Sequence, residues 1–131
     1  LMLQQKSPDD YVISSGEQHS VREFIQWSCE ELGIEIGFKG EGENEEGYVK
    51  KISSEISTPL KSGDTIIKVD PRYFRPAEVN SLLGDSSKAK KDLGWKPEIT
   101  ARQMCSDMVA KDLEKAKKDA FLLSNGYEKE S

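Results

Sequence analysis

Histidine and cysteine are scarce in this chain, and that limits the metal chemistry it can support. The 131 residues include one histidine, His19, and two cysteines, Cys29 and Cys105, which lie far apart. A protein-bound zinc ion needs three or four converging ligands, and the sequence shows no such spacing. We therefore expect no metal site. Both thiols fall on the apolar faces of predicted helices, which indicates buried cysteines in a reducing, cytoplasmic protein.

Clustered positive charge and long apolar runs are also lacking. The formal net charge is −5 and the isoelectric point is about 5.0. Nucleic-acid binding depends on grouped basic side chains, and the short run from Lys88 to Lys91 is followed at once by Asp92. No signal peptide or membrane-spanning run is recognisable. We expect neither nucleic acid nor membrane as a partner.

The familiar catalytic motifs are missing as well. The stretch "GFKGEGENEEG" is rich in glycine, but acidic residues surround it and no helix follows, so it is not a dinucleotide-binding fingerprint. The sequence holds no G-x-S-x-G elbow, and none of its four tyrosines is followed by lysine four positions later. We therefore assign no catalytic residue from the sequence.

What is present suffices for one domain with a small core. Hydrophobic residues make up 35% and charged residues 33% of the chain, a low apolar share for a free-standing domain. The opening "LMLQQ" resembles the last turn of an apolar helix. We expect residues 1–131 to form one C-terminal domain of a longer protein and to pack against a part that lies upstream.

The pattern of apolar residues and breakers predicts a small mixed α/β unit. A strand is expected at Asp10–Gly16, a helix after a capping box at Ser20 and Glu23, and a strand at Ile34–Phe38. A long loop is expected over Lys39–Thr65, interrupted at most by a short strand at Tyr48–Ile52.

The second half of the chain is predicted to be a strand followed by two helices. The strand is Ile66–Asp70, and the first helix is capped by Asp85 or Ser86 and stopped by Gly94. A capping box at Thr100 and Gln103 begins the last helix. Its apolar stripe is predicted to face the core: Met104, Cys105, Met108, Val109, Leu113 and Ala116. The charged tail, Lys117–Ser131, is expected to fray.

One segment, "RYFRPAEV", carries the features of a ligand-binding site. Pro76 restricts its own backbone and that of Arg75, so the arginine is presented from a stiff chain to a phosphate. A carboxylate at Glu78 could accept hydrogen bonds from the vicinal hydroxyls of a ribose. The spacing equally permits a simple Arg75–Glu78 ion pair near a helix start, and both interpretations stay open on spacing alone.

Three long stretches resemble one enzyme family. They are "GEQHSVREFIQWSCEELGIEI", "VDPRYFRPAEVNSLLGDSSKAKKDLGWKPEIT" and "MVAKDLEKAKK". Together they resemble the C-terminal part of the GDP-mannose 4,6-dehydratases, a branch of the extended short-chain dehydrogenases/reductases. The looser pattern R-P-x-E-V…L-G-W-x-P is shared with many nucleotide-sugar epimerases and dehydratases, whereas "DPRYFRPAEV" is closer to the dehydratases.

The resemblance implies a fold, a reaction and site residues. Members of the family have an N-terminal Rossmann domain that binds NADP and a smaller C-terminal domain that holds the nucleotide sugar. They convert GDP-mannose to GDP-4-keto-6-deoxymannose and form homo-oligomers. The family's catalytic residues match no position here. The resemblance places Arg75 on the diphosphate and Glu78 on the ribose, with Tyr48 as a further candidate near the substrate.

Two other functions stay open at this point. The chain could belong to a related nucleotide-sugar epimerase or to a 4-keto-sugar reductase, which product analysis would distinguish. It could also be an interaction module without catalysis, in which case the isolated chain should melt cooperatively as a monomer.

Overall fold

Three helices and one sheet make up the fold of the computed structural model, which describes residues 1–75 and 82–127. In chain order the elements are α1 (Val21–Glu31), β1 (Ile34–Lys39), β2 (Glu46–Ile52), β3 (Thr65–Lys68), α2 (Ser87–Leu93) and α3 (Ala101–Ser124). Short 3₁₀ turns lie at Met2–Gln4 and Gly42–Asn44. The predicted small mixed α/β unit is confirmed.

Helix α1 begins as its sequence predicts. The Ser20 hydroxyl accepts a hydrogen bond from the Glu23 amide at 3.1 Å, and the Glu23 carboxylate accepts one from the Ser20 amide at 2.8 Å. This reciprocal pair satisfies two amides that the first turn would otherwise leave unpaired. At the other end Gly33 adopts a φ of 69°, a conformation that disfavours any side chain, and the chain turns directly into β1.

The sheet is antiparallel and has β2 at its centre, in the order β1-β2-β3. The short strand expected inside the long loop, at Tyr48–Ile52, is confirmed, and it begins earlier, at Glu46. Glutamate and glycine are poor strand formers, but here two neighbouring strands supply backbone partners. A Cβ atom on Gly47 would stand 2.9 Å from Ile36 Cδ1 and 2.9 Å from Ile67 Cβ.

The core lies between α1 and one face of the sheet. Val49 is fully buried at the centre of β2, and Ile34, Ile36 and Cys29 surround it. Partly buried side chains complete the cluster: Ile25, Leu32, Phe38, Ile52, Leu60, Ile66 and Ile67. The two cysteines are free and buried, as predicted.

The predicted strand at Asp10–Gly16 is absent from the described sheet, and this prediction is wrong. The segment instead lies beside the region of α2. The Ser14 hydroxyl donates to the Gly84 carbonyl at 2.7 Å, and Lys88 Nζ donates to the Asp10 carbonyl at 2.9 Å. A β-rich sequence becomes a strand only with a backbone partner, and strands β1 to β3 pair with one another instead.

Helices α2 and α3 both start near the predicted residues, and α2 also ends there. Asp85 Oδ1 accepts the Ser87 amide at 2.9 Å, Ala89 is buried, and Gly94 has a φ of 64°. The Thr100–Gln103 capping box of α3 is confirmed. Among the helices of the described ranges, none is long and apolar enough to cross a membrane.

The expectation that the apolar stripe of α3 faces the core is corrected. Of its apolar stripe only Cys105 is fully buried, whereas Met104, Met108 and Leu113 are exposed. Near its start the helix is attached to α1 through Cys105 Sγ, 3.3 Å from Ser28 Oγ, and through an ion pair between Arg102 and Glu30 at 3.0 Å. The helix extends to Ser124, and the expected fraying from Lys117 stays a prediction.

Replacing the central core residue should measure how much the sheet depends on it. Val49→Ala removes two buried methyl groups from a site with no solvent access, and we expect a loss of about 2 kcal/mol in unfolding free energy. Val21→Ala is the matched control, because Val21 is 77% exposed and should change stability by less than about 0.5 kcal/mol. Urea unfolding of both variants tests this, and equal losses would contradict the assigned core.

Candidate functional site

A tight turn separates β3 from the predicted ligand-binding arginine. The Asp70 carbonyl accepts the Tyr73 amide at 3.0 Å, and Asp70 Oδ1 accepts the Arg72 amide at 3.0 Å. Aspartate followed by proline favours such a turn, since its side chain bonds the backbone two residues on and proline restricts the next position. Backbone and side chain of Asp70 thus close the turn together.

Within this turn the guanidinium of Arg72 is already occupied. Its Nε lies 3.1 Å from both carboxylate oxygens of Asp70, and a terminal nitrogen lies 2.6 Å from Oδ2. These hydrogen bonds hold the pKa of the Asp70 carboxyl below its usual value. The same guanidinium lies 5.5 Å from the centre of the Tyr73 ring. Arg72 thus donates its Nε and one terminal nitrogen to Asp70.

Arg75 is in a different situation from Arg72. Its side chain is exposed, and it takes part in none of the ion pairs formed within residues 1–75 and 82–127. The preceding Phe74 packs over the backbone of Gly42, where a Cβ atom would lie 3.6 Å from the ring. Glu78 lies outside the described residues, so both of its predicted roles, the ribose contact and the Arg75 ion pair, stay predictions.

A cavity of about 320 Å³ lies beside this turn, at the start of α1. Val69, the residue that follows β3, lines it together with Phe38 and Ile67. Arg22 stands at its edge with its guanidinium 5.2 Å from the centre of the Phe38 ring, and it forms an ion pair with Glu45. The cavity thus combines an apolar wall with an arginine whose charge is balanced.

Tyr48 lies on the sheet face opposite α1. Its ring covers Gly37, where a Cβ atom would stand 2.7 Å from Tyr48 Cζ and 2.9 Å from its hydroxyl oxygen. The ammonium of Lys39 lies 5.8 Å from the ring centre. No hydrogen bond, ion pair or ring contact among the described residues joins Tyr48 to Arg75. That both residues face one substrate stays a prediction.

Glu46 is the electrostatic centre of that outer face. Its carboxylate pairs with Lys68 at 3.3 Å and with Lys39 at 3.4 Å. Hydrogen bonds from these two ammonium groups lower the pKa of the Glu46 carboxyl. One carboxylate thus serves two ammonium groups, so these three side chains together keep a net positive charge.

The described residues show no assembled nucleophile or general base. Burial raises the pKa of the Cys29 thiol, which suppresses the thiolate that would be reactive. An exposed arginine held behind a stiff turn is suited to a phosphate, because its fork can donate two parallel hydrogen bonds.

The sequence predicted a role for Arg75 but not the interactions of the residues that precede it. The Asp70–Arg72 pair and the packing of Phe74 on Gly42 were not predicted. The dipeptide Asp70–Pro71 was the available signal, since it is typical of turn initiation. Nothing in the sequence could have indicated that Gly42 would receive the Phe74 ring.

Comparison with known proteins gives a consistent result. The sequence model of one family, described as GDP-mannose 4,6 dehydratase, matches residues 1–108. The chain is 56% identical over 128 residues to the GDP-mannose 4,6-dehydratase of Yersinia enterocolitica, covering 98% of this chain and 34% of that protein. It is 41% identical over 121 residues to the GDP-mannose 4,6 dehydratase of Drosophila melanogaster, covering 91% and 28%. The chain spans about a third of the length of these curated relatives.

Acid titration should reveal the contribution of Glu46. Its pKa is lower in the folded than in the unfolded state, so its contribution to stability is present above the unfolded pKa, about 4.3, and is lost as the pH falls through the folded pKa. We expect Glu46→Gln to be less stable than the parent at pH 7 and to approach it below about pH 4. Urea unfolding across pH 3–7 checks this, and a difference independent of pH would contradict the assignment.

Proposed function

We propose a function from the premise that this chain belongs to the GDP-mannose 4,6 dehydratase family. In this proposal the chain supplies the nucleotide-sugar-binding part of a GDP-mannose 4,6-dehydratase. The enzyme converts GDP-mannose to GDP-4-keto-6-deoxymannose, a step of GDP-deoxyhexose biosynthesis. Because the chain spans only about a third of its relatives, its substrate and activity are inferred from theirs.

The observation that carries the proposal is the contrast between two neighbouring arginines. Arg72 is held by a carboxylate, whereas Arg75, three residues later, is exposed and free of ion pairs within the described ranges. A guanidinium that forms no ion pair within residues 1–75 and 82–127 can donate to an external anion. The diphosphate of a nucleotide sugar has the required charge and spacing of oxygens.

The residues described here do not fit an NADP site. Their sheet is antiparallel, and no glycine-rich turn joins one of its strands to the start of a helix. We therefore propose that an NADP-dependent lyase carries its cofactor and its catalytic residues on a Rossmann domain outside this chain. That domain and further copies of the enzyme are the proposed protein partners.

Removing the Arg75 side chain should weaken substrate binding without unfolding the protein. In the dehydratase that carries this chain, we expect Arg75→Ala to raise KM about 10- to 100-fold, the loss of a charge-assisted hydrogen bond worth about 1.5–3 kcal/mol. The KM of Arg75→Lys should lie between those of the parent and of Arg75→Ala, because lysine keeps the charge but not the planar fork. Steady-state kinetics with GDP-mannose measure the effect.

The control for Arg75→Ala is Lys91→Ala, which removes one positive charge from an exposed position on α2. Its KM should stay within about twofold of the parent, since a solvated charge outside the site is largely screened. An unchanged KM in Arg75→Ala, or an equal rise in both variants, would refute the role given to Arg75.

A second substitution tests the ribose contact proposed for Glu78. A carboxylate accepts stronger hydrogen bonds from the two ribose hydroxyls than a neutral amide does. Glu78→Gln should therefore lower the affinity for GDP about tenfold. The affinity for 2′,3′-dideoxy-GDP should change little, because that ligand lacks both hydroxyls. Calorimetry measures the affinity for each ligand, and equal losses of affinity for both would contradict the ribose contact.

A further inference from the structure

We infer that Asp70 is a positioning residue for substrate binding, which acts by fixing the turn that presents Arg75. This inference rests on the proposed function of Arg75 and adds to it a residue outside the ligand contacts. Asp70 touches no substrate atom in this scheme. Its task is to hold the backbone between β3 and Arg75 in one conformation.

The geometry of the turn supports this role, because Asp70 accepts hydrogen bonds with both its carboxylate and its backbone carbonyl. Its carboxylate accepts three hydrogen bonds from the Arg72 side chain, at 2.6 to 3.1 Å, and one from the Arg72 amide at 3.0 Å. Its carbonyl accepts the Tyr73 amide at 3.0 Å. One residue thus determines the path of the next three.

The turn is anchored at both of its ends. Before it, Lys68 closes strand β3 in register with Glu46 of β2. After it, the ring of Phe74 packs over the backbone of Gly42. Between these anchors the Asp70–Arg72 pair removes the remaining freedom, so that the chain reaches Arg75 in a defined direction.

Stability alone does not account for this arrangement. Arg72 is 78% exposed and Asp70 is 38% exposed, and exposed ion pairs contribute little to folding. A fixed turn does reduce the conformational entropy that Arg75 loses when it grips a phosphate, since less backbone has to be ordered on binding. The pair should therefore affect ligand affinity more than it affects folding.

The experiment is a double-mutant cycle in the full-length dehydratase that carries this chain. Asp70→Asn keeps the size of the side chain and the turn-forming oxygen but removes the charge that holds Arg72. We expect KM for GDP-mannose to rise about tenfold with kcat within about twofold, because only binding is affected. Thermal melting of the variant should coincide with that of the parent.

The cycle compares this effect with and without Arg75. If Asp70 acts through Arg75, adding Asp70→Asn to Arg75→Ala should raise KM no further than Arg75→Ala alone. Arg72→Ala, which breaks the same pair from the other side, should reproduce the Asp70→Asn phenotype. Equal, additive rises in both backgrounds would overturn the positioning role, as would an unchanged KM in Asp70→Asn.

A matched control excludes a general effect of losing a surface ion pair. Asp9 forms a comparable exposed pair with Lys88 at 2.7 Å, and Asp9→Asn should leave KM unchanged. The two hypotheses fail differently. If Arg75→Ala itself leaves KM unchanged, the proposed role of Arg75 is wrong. If Arg75→Ala raises KM but Asp70→Asn does not, only the inference about Asp70 is wrong.

Discussion

Backbone pairing on both edges of β2 is the constraint on which the rest of the fold depends. The strand contains Glu46, Gly47 and three charged or aromatic side chains on its outer face, and its own propensity for strand formation is low. It persists because β1 and β3 supply hydrogen bonds on either side and α1 buries Val49 against the inner face. The position of α1, the exit of β3 and hence the turn before Arg75 all follow from that pairing.

The sequence predicted those structural features correctly that depend on interactions between residues close together in the chain. The two capping boxes, at Ser20 and Thr100, were predicted and are present, because a cap needs only residues within one turn. Gly94 also ends α2 with the expected left-handed conformation. These features specify where helices begin and end without reference to the rest of the molecule.

The errors concern interactions between distant segments. The run Asp10–Gly16 has the composition of a strand but meets Gly84 and Lys88 instead of a strand edge. The stripe on α3 has helical periodicity, yet beyond Cys105 most of it is exposed. Composition and periodicity report what a segment could bury, whereas the partner that buries it is decided elsewhere in the chain.

The candidate site shows the same division. Arg75 could be proposed from its proline neighbour and from family resemblance, and the structure adds that its guanidinium is exposed. Within "DPRYFR", Asp70 and Arg72 are hydrogen-bonded to each other in the turn, the Phe74 ring lies beside Gly42, and Arg75 is exposed. Tyr48, on the other face of the sheet, is not joined to this group by any of the described contacts.

The Asp70–Arg72 pair also reduces the net charge that this segment presents to ions in solution. Two arginines within four residues would present a doubly charged surface, but the carboxylate of Asp70 cancels one of them. The described part of the segment therefore carries a single net positive charge, at Arg75. Because Arg75 is exposed, dissolved salt should screen this one charge.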